Sequence, residues 1–280
     1  MNSLPADFET RTLVDGLLFP ESPRWHDNIF YFSDMNDGRV IRTDLQGNTS
    51  MVLEMPGPCS GIGWRPDGTL LVVSMQDRRL MSWDGQTLEM VCDMYSLATY
   101  HCNDMVVDKK GRAYVGNFGF DLGDRTHIKP AEIIMVNLDG TPEVVADNLL
   151  FPNGTVITPD DKTLIVGQTF GHCLTAFDIK SDGRLGAPQM WAKLPDTIHP
   201  DGICLDTEGG IWVACPGTAC VYRVEQGGRI TDTIPVKTNA YACMLGGHDG
   251  TTLFIATSGN TYRSGKIETV RVNIPGAGLP

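Results

Sequence analysis

The chain has 280 residues, 41% of them apolar, and carries 34 acidic against 22 basic side chains, a formal charge of −12. That length and apolar content suffice for a large buried core. The charge excludes nucleic acid and an anionic membrane surface as partners, since either polyanion would be repelled rather than steered in, and it favours a cation or a neutral small molecule.

The N-terminal MNSLPADFET has neither the basic start nor the apolar run of a secretory signal, and no apolar stretch approaches the ~18 residues of a membrane span. The expectation is a cytoplasmic protein with no obligate protein partner. Eight cysteines form no CxxC pair and sit mostly in apolar runs, which points to reduced core thiols rather than a disulfide framework.

In chain order, Phe8 to Val14 (FETRTLV) reads as a strand with no partner nearby. From Glu21 onward one unit recurs: a short run, a turn rich in Asp or Gly, and a β-rich strand. The copies are ESPRWHDNIFYFSD from Glu21, SGIGWRPDGTLLVVS from Ser60, NDMVVDKKGRAYVGN from Asn103, NGTVITPDDKTLIVG from Asn153, DGICLDTEGGIWVAC from Asp201 and CMLGGHDGTTLFIAT from Cys243. Two more strands follow in each, as in RVIRTDLQG and SMVLEM, and no segment holds a 3.6-residue apolar period. Four strands repeated six times predict an all-β fold, a six-bladed β-propeller occupying residues 1–280 as one domain. The sixth copy stops after its third strand, GKIETVRVNI, so Phe8 to Val14 is expected to complete that blade, pairing the N-terminal strand with the last blade and removing an exposed sheet edge.

The first strand of a propeller blade lines the channel, so the residues opening the copies form one ring: Glu21, Ser60, Asn103, Asn153, Asp201 and Cys243. Two carboxylates and two amides converge there without a Lys or Arg. A bound cation resolves the charge. Glu21, Asn153 and Asp201, with Asn103 close by, are the expected ligands of one divalent ion; all-oxygen donors suit Ca²⁺ first, then Mg²⁺ or Mn²⁺, with Zn²⁺ also able to occupy carboxylate sites. Prolines precede Glu21, Asn153 and Asp201 and fix the approach of the chain. Two positions earlier lie Phe19, Pro58, His101, Phe151, His199 and Tyr241, a largely aromatic set expected to line the mouth above the metal. The longest loop, Gly116 to Pro130, borders the same entrance; its Phe118 and Phe120 join the expected substrate-binding residues, and its Gly119 and Gly123 would permit movement.

At these residues the sequence resembles the SMP-30/gluconolactonase/luciferin-regenerating-enzyme family, over nearly the whole chain from Phe19 to about Ile274. The most specific marks are Glu21 with Ser22, Pro23 and Trp25, the Asn103-Asp104 pair, Asn153-Gly154 after Phe-Pro, and Asp201-Gly202 after His-Pro. The resemblance implies a six-bladed propeller, one catalytic divalent cation and hydrolysis of a lactone, with Asp201 as ligand and general base. In the sugar-lactonase members an arginine that contacts substrate hydroxyls stands two residues before the position of Asn103; here it is His101. With the aromatic ring, this sets the expectation at a lactone less polar than a sugar lactone, opened as its carbonyl is polarised by the metal and water is activated by Asp201. A sugar lactonase, a phosphotriester or ester hydrolase at the same site, and a calcium-binding propeller without catalysis are the alternatives. No G-x-S-x-G elbow, P-loop or dinucleotide fingerprint occurs.

Overall fold

The computed structural model describes residues 8–124 and 126–278. The strands form six antiparallel sheets of four strands each. Their innermost strands are Pro20–His26, Cys59–Trp64, Cys102–Val107, Pro152–Ile157, Ile203–Leu205 and Asn239–Gly246 in blades 1 to 6. Each touches the innermost strand of the next blade, and blade 6 touches blade 1, so the ring closes. This is the six-bladed β-propeller that the repeat implies.

Closure uses the N-terminal strand as expected, three residues further along. Arg11–Leu17 pairs antiparallel with Gly265–Arg271 of blade 6, Arg11 opposite Thr269 and Leu17 opposite Gly265, and Gly16 takes a left-handed φ of 74° at a register shift. Apolar side chains pack the seam beside it: Phe254 of blade 6 stacks on Phe30 of blade 1 with centroids 4.2 Å apart, and Trp25 lies 5.7 Å beyond. Burying each such aromatic stabilises the ring by roughly 1.5–3 kcal/mol.

The turns from first to second strand lie on the face opposite the ring of opening residues. Aspartates tie them by accepting nearby backbone N–H groups, as Asp67 does from Thr69. In blades 3 and 5 the turn aspartate is buried and paired with arginine, Asp108 with Arg112 at 2.6 Å and Asp206 with Arg223 at 2.7 Å. The C-terminal segment crosses this same face, Thr207 donating to Pro275 O and Ala277 to Leu205 O, which straps blade 6 to blade 5. Nothing in the repeat pattern announces that strap.

Candidate metal centre

In five of the six blades the inner strand breaks its register at the ring residue, which turns that side chain into the channel; in blade 5 Asp201 lies just ahead of the strand Ile203–Leu205. Pairing skips between Glu21 and Arg24, Cys59 and Ile62, Cys102 and Met105, Pro152 and Thr155, and Ala240 and Ala242. Such bulges re-aim side chains that regular alternation would send elsewhere. Glycine after the ring residue lets neighbouring strands approach: a Cβ on Gly154 would lie 2.4 Å from Asp201 O, and one on Gly202 2.4 Å from the Ala242 Cβ. Gly154 N–H donates to Asp201 O, and Gly202 N–H to Tyr241 O.

That last bond corrects the sixth position. Tyr241 stands to Asp201 as Asp201 stands to Asn153, so Tyr241, not Cys243, belongs to the ring. The turn of blade 6 is no longer than those of blades 2 to 5, but its inner strand pairs five residues after the bulge, Ala242 to Gly246, where blades 2, 3 and 4 pair three, so counting back from Asp249-Gly250 stops short of the bulge. Cys243 instead buries its thiol against Trp212 O at 3.4 Å and the Cys204 thiol at 3.9 Å.

Three ring side chains and Thr169 form one hydrogen-bonded chain: Ser60 Oγ donates to Asn103 Oδ1 at 3.1 Å, Asn103 Nδ2 to Asn153 Oδ1 at 2.9 Å, and Asn153 Nδ2 to Thr169 Oγ1 at 3.2 Å. Asn103, Asn153 and Asp201 are buried. Burial pushes the Glu21 carboxyl up from 4.5 to about 8, helped by the charge of Asp104 and opposed by the Ser22 N–H and Arg24. Asp201 is raised well above the usual carboxylate range by burial, then by Glu21 and Asp104. Two desolvated carboxylates that repel each other beside two amide oxygens fit a hard divalent cation, which needs oxygen donors and supplies the missing positive charge. Among the described residues no three His, Cys, Asp or Glu side chains gather to hold an ion, so this set reaches a working ligand number only through its amides.

Beneath the ring sits a charge pair absent from the sequence reading. Arg24, 4% exposed, donates to Asp104 Oδ1 at 3.1 Å, Met105 O at 2.6 Å and Pro23 O at 2.9 Å. Asp104 also accepts from Ser22 Oγ and Met105 N–H. Arg24 thereby offsets part of a charge that still raises Glu21 and Asp201. Ser22, at φ 47°, and Phe151, at φ 58°, take left-handed conformations costly for a side chain, one residue after Glu21 and two before Asn153 of the ring.

Around the mouth runs an aromatic arc. Tyr100 lies against His101 at 4.2 Å, His101 near Phe118 at 6.2 Å, Phe118 edge-on to Phe151 at 4.7 Å, Phe151 stacked near Phe170 at 5.8 Å, and Phe170 near His199 at 6.3 Å. Across the channel Phe19 meets Tyr241 at 4.4 Å. Phe120 and Phe151 are buried, so they back the arc; Phe120 packs on Phe170. Burial, and then Arg78, lower the His101 imidazole below its ordinary value, which keeps it neutral. Gly119 N–H is held by Asn117 Oδ1 at 2.9 Å, so the loop is anchored where it leaves blade 3. Thr169, Phe170 and His172 escaped the sequence reading, although they leave the second strand of blade 4 just where Phe118 and Phe120 leave that of blade 3. A cleft of about 550 Å³ opens elsewhere, among Phe8, Leu13, Phe254 and Val270 at the outer seam, and it gathers no comparable donor set.

The SMP-30/Gluconolactonase/LRE-like region matches residues 19–259. The 6-deoxy-6-sulfogluconolactonase of Pseudomonas putida is 26% identical over 275 residues, 93% of each chain. Regucalcin of Gallus gallus is 27% identical over 85% of this chain and 82% of its own. The crystal structure of a calcium-binding protein, regucalcin from Agrobacterium tumefaciens, superposes with a TM-score of 0.83 at 19% identity, covering 98% of this chain and 97% of that one. The family match over most of its length places the chain in the SMP-30/gluconolactonase/LRE-like family.

Proposed function

We propose that the chain is a lactonase that requires one divalent cation, calcium first among the candidates. The observation that carries this is the convergence of Glu21, raised by burial and then by Asp104, and Asp201, raised by burial and then by Glu21, with Asn103 and Asn153 on equivalent bulges of the channel. Relatives named sulfogluconolactonase and pentonolactonase support the class of bond broken. Glu21, Asn153 and Asp201 would hold the cation, with Asn103 beside them; when bound, it supplies Lewis-acid polarisation of an ester carbonyl.

The chain's own residues do the rest. Asp201 orients a water and accepts its proton as that water attacks the lactone carbonyl carbon. The same proton then serves the ring oxygen as the C–O bond opens to the hydroxy acid. Asn103 can donate an N–H to a substrate oxygen, and the Tyr241 hydroxyl, which accepts from Asn239 Nδ2 at 3.4 Å, keeps its own hydrogen for donation. Phe19, Phe118 and the arc behind it offer an apolar wall that suits a lactone less polar than a sugar lactone.

A sugar lactone is the second reading, favoured by the relatives' names and by Tyr100, His101 and Asp121 grouped at the edge of blade 3. The test is hydrolysis of aliphatic, aromatic and sugar lactones beside a phosphotriester, after chelation and after adding back Ca²⁺, Mg²⁺, Mn²⁺ or Zn²⁺. Restored lactone opening supports the proposal. Turnover of the phosphotriester alone would move the site to another ester, and calcium binding without any turnover would make it a binding protein.

A further inference from the structure

Two imidazoles stand on the metal face where blades 4 and 5 meet, their centroids 4.5 Å apart. His172 Nδ1 lies 3.1 Å from Ile198 O, and His199 Nδ1 lies 3.3 Å from Thr169 O. A carbonyl oxygen can only accept. Each Nδ1 therefore carries a hydrogen, and each Nε2 of the neutral ring is left as an acceptor. Neither Nε2 has a hydrogen-bond partner among the described residues, and neither belongs to the side-chain nitrogens that are buried without one, so both lone pairs open to solvent.

The pair is tied to the metal ring through a single residue. Thr169 accepts from Asn153 Nδ2 on its hydroxyl, donates that hydroxyl to Pro200 O at 2.8 Å, and offers its carbonyl to His199. The His172 carbonyl accepts from Leu194 N–H, and the His199 N–H is engaged by the Cys215 thiol. Both rings are thus fixed in place, His199 beside Phe170, at the end of the aromatic arc away from Tyr100 and His101. Two nitrogens without a carboxylate are too few for a second metal ion. What they match is a ligand that brings donors.

We propose that His172 and His199 form a hydrogen-bond-accepting subsite for a hydroxyl or amide N–H carried by the lactone substrate. This rests on the lactonase reading above for the substrate's identity, while the geometry of the pair stands apart from turnover. An acceptor pair discriminates against a lactone with no donor, because binding one would desolvate both nitrogens for no return bond.

The test uses lactams, which keep the ring shape and are not opened: the three monohydroxylated δ-valerolactams (3-, 4- and 5-hydroxy) and unsubstituted δ-valerolactam, each titrated into calcium-loaded protein labelled with ¹⁵N-histidine. Long-range ¹H–¹⁵N spectra should show Nδ1–H tautomers for both residues, and the tightest-binding hydroxylated lactam should move both Nε2 signals. His172→Phe and His199→Phe should each weaken that lactam roughly three- to tenfold more than valerolactam, and His199→Gln, which retains an acceptor, should recover part of the loss. An Nε2–H tautomer in either ring, equal losses for the hydroxylated and unsubstituted lactams, or no hydroxylated lactam binding the parent protein more tightly than valerolactam would overturn the proposal. Binding with these effects in a protein that opens no lactone would leave the subsite standing and remove the lactonase reading.

Discussion

Replacing Arg24 with methionine separates two roles that the structure assigns to one guanidinium. The side chain is 4% exposed and makes three donations, to Asp104 Oδ1, Met105 O and Pro23 O. Breaking a buried ion pair by removing one partner costs about 3–5 kcal/mol, chiefly through the charge left behind. Asp104 keeps the Ser22 hydroxyl and the Met105 N–H as donors, and methionine fills much of the vacated volume, so the lower end applies, about 3 kcal/mol. In a chain of this length that corresponds to a fall of roughly 5 °C in the melting temperature of the chelated protein. Calcium affinity should move the other way. Arg24 opposes, and Asp104 reinforces, the rise of the Glu21 carboxyl, so losing the guanidinium makes the channel more negative and tightens cation binding. Adding Asp104→Asn should return at least half of the lost stability and abolish the gain in affinity. Thermal unfolding in chelator and in calcium, with calorimetric titration, measures both. A chelated Arg24→Met protein within about 1 kcal/mol of its parent, or one that binds calcium more weakly, would refute the assignment of Arg24 as the counter-charge of Asp104.

Asp201→Asn keeps an oxygen donor and loses the proton acceptor, so turnover should fall by two orders of magnitude or more while calcium still binds by titration, on the scale of general-base catalysis at about 10²–10⁴-fold. Asp201→Ala should lose the ion as well. In metal-free protein, Glu21 keeps between pH 4.5 and about 8 a proton that the unfolded chain has released, so stability should decline as pH rises through that window. Calcium must displace that proton, so its affinity should climb with pH and level off above about 8, with proton release visible in calorimetry at pH 6.5; a pH-independent affinity would contradict the raised carboxyl. Tyr241→Phe removes a hydroxyl from the ring and should lower kcat roughly tenfold, the loss of about one neutral hydrogen bond, with the melting temperature little changed.

The repeat, the closing strand and all four proposed ligands were legible because they obey a period that a reader of one-dimensional text can see. Glu21, Asn103, Asn153 and Asp201 open equivalent copies, and an equivalent position in a propeller is an equivalent place in space. The period carries this information only as far as the strands keep their length. In blade 6 five residues, Ala242 to Gly246, pair between bulge and turn where blades 2, 3 and 4 have three, and the count ends on Cys243 when the bulge lies at Tyr241. What supports the ring has no period at all. Arg24 meets Asp104 across 80 residues, and Thr169 reaches Pro200 across 31; each is a single contact between blades, invisible to any comparison of one copy with the next. His172 shows the same limit. Its neighbour His199 was found because it stands two residues before a ligand, whereas His172 is brought beside it by the loop that leaves the second strand of blade 4. The proposed ligands sit where the repeat puts them, and the residues that would set their charge and choose what lies above them sit where different blades happen to meet, Arg24 of blade 1 with Asp104 of blade 3 among them. Chemistry in this fold is therefore readable from the period, and substrate choice is written in the unrepeated contacts between blades, which is where variants aimed at specificity should be made.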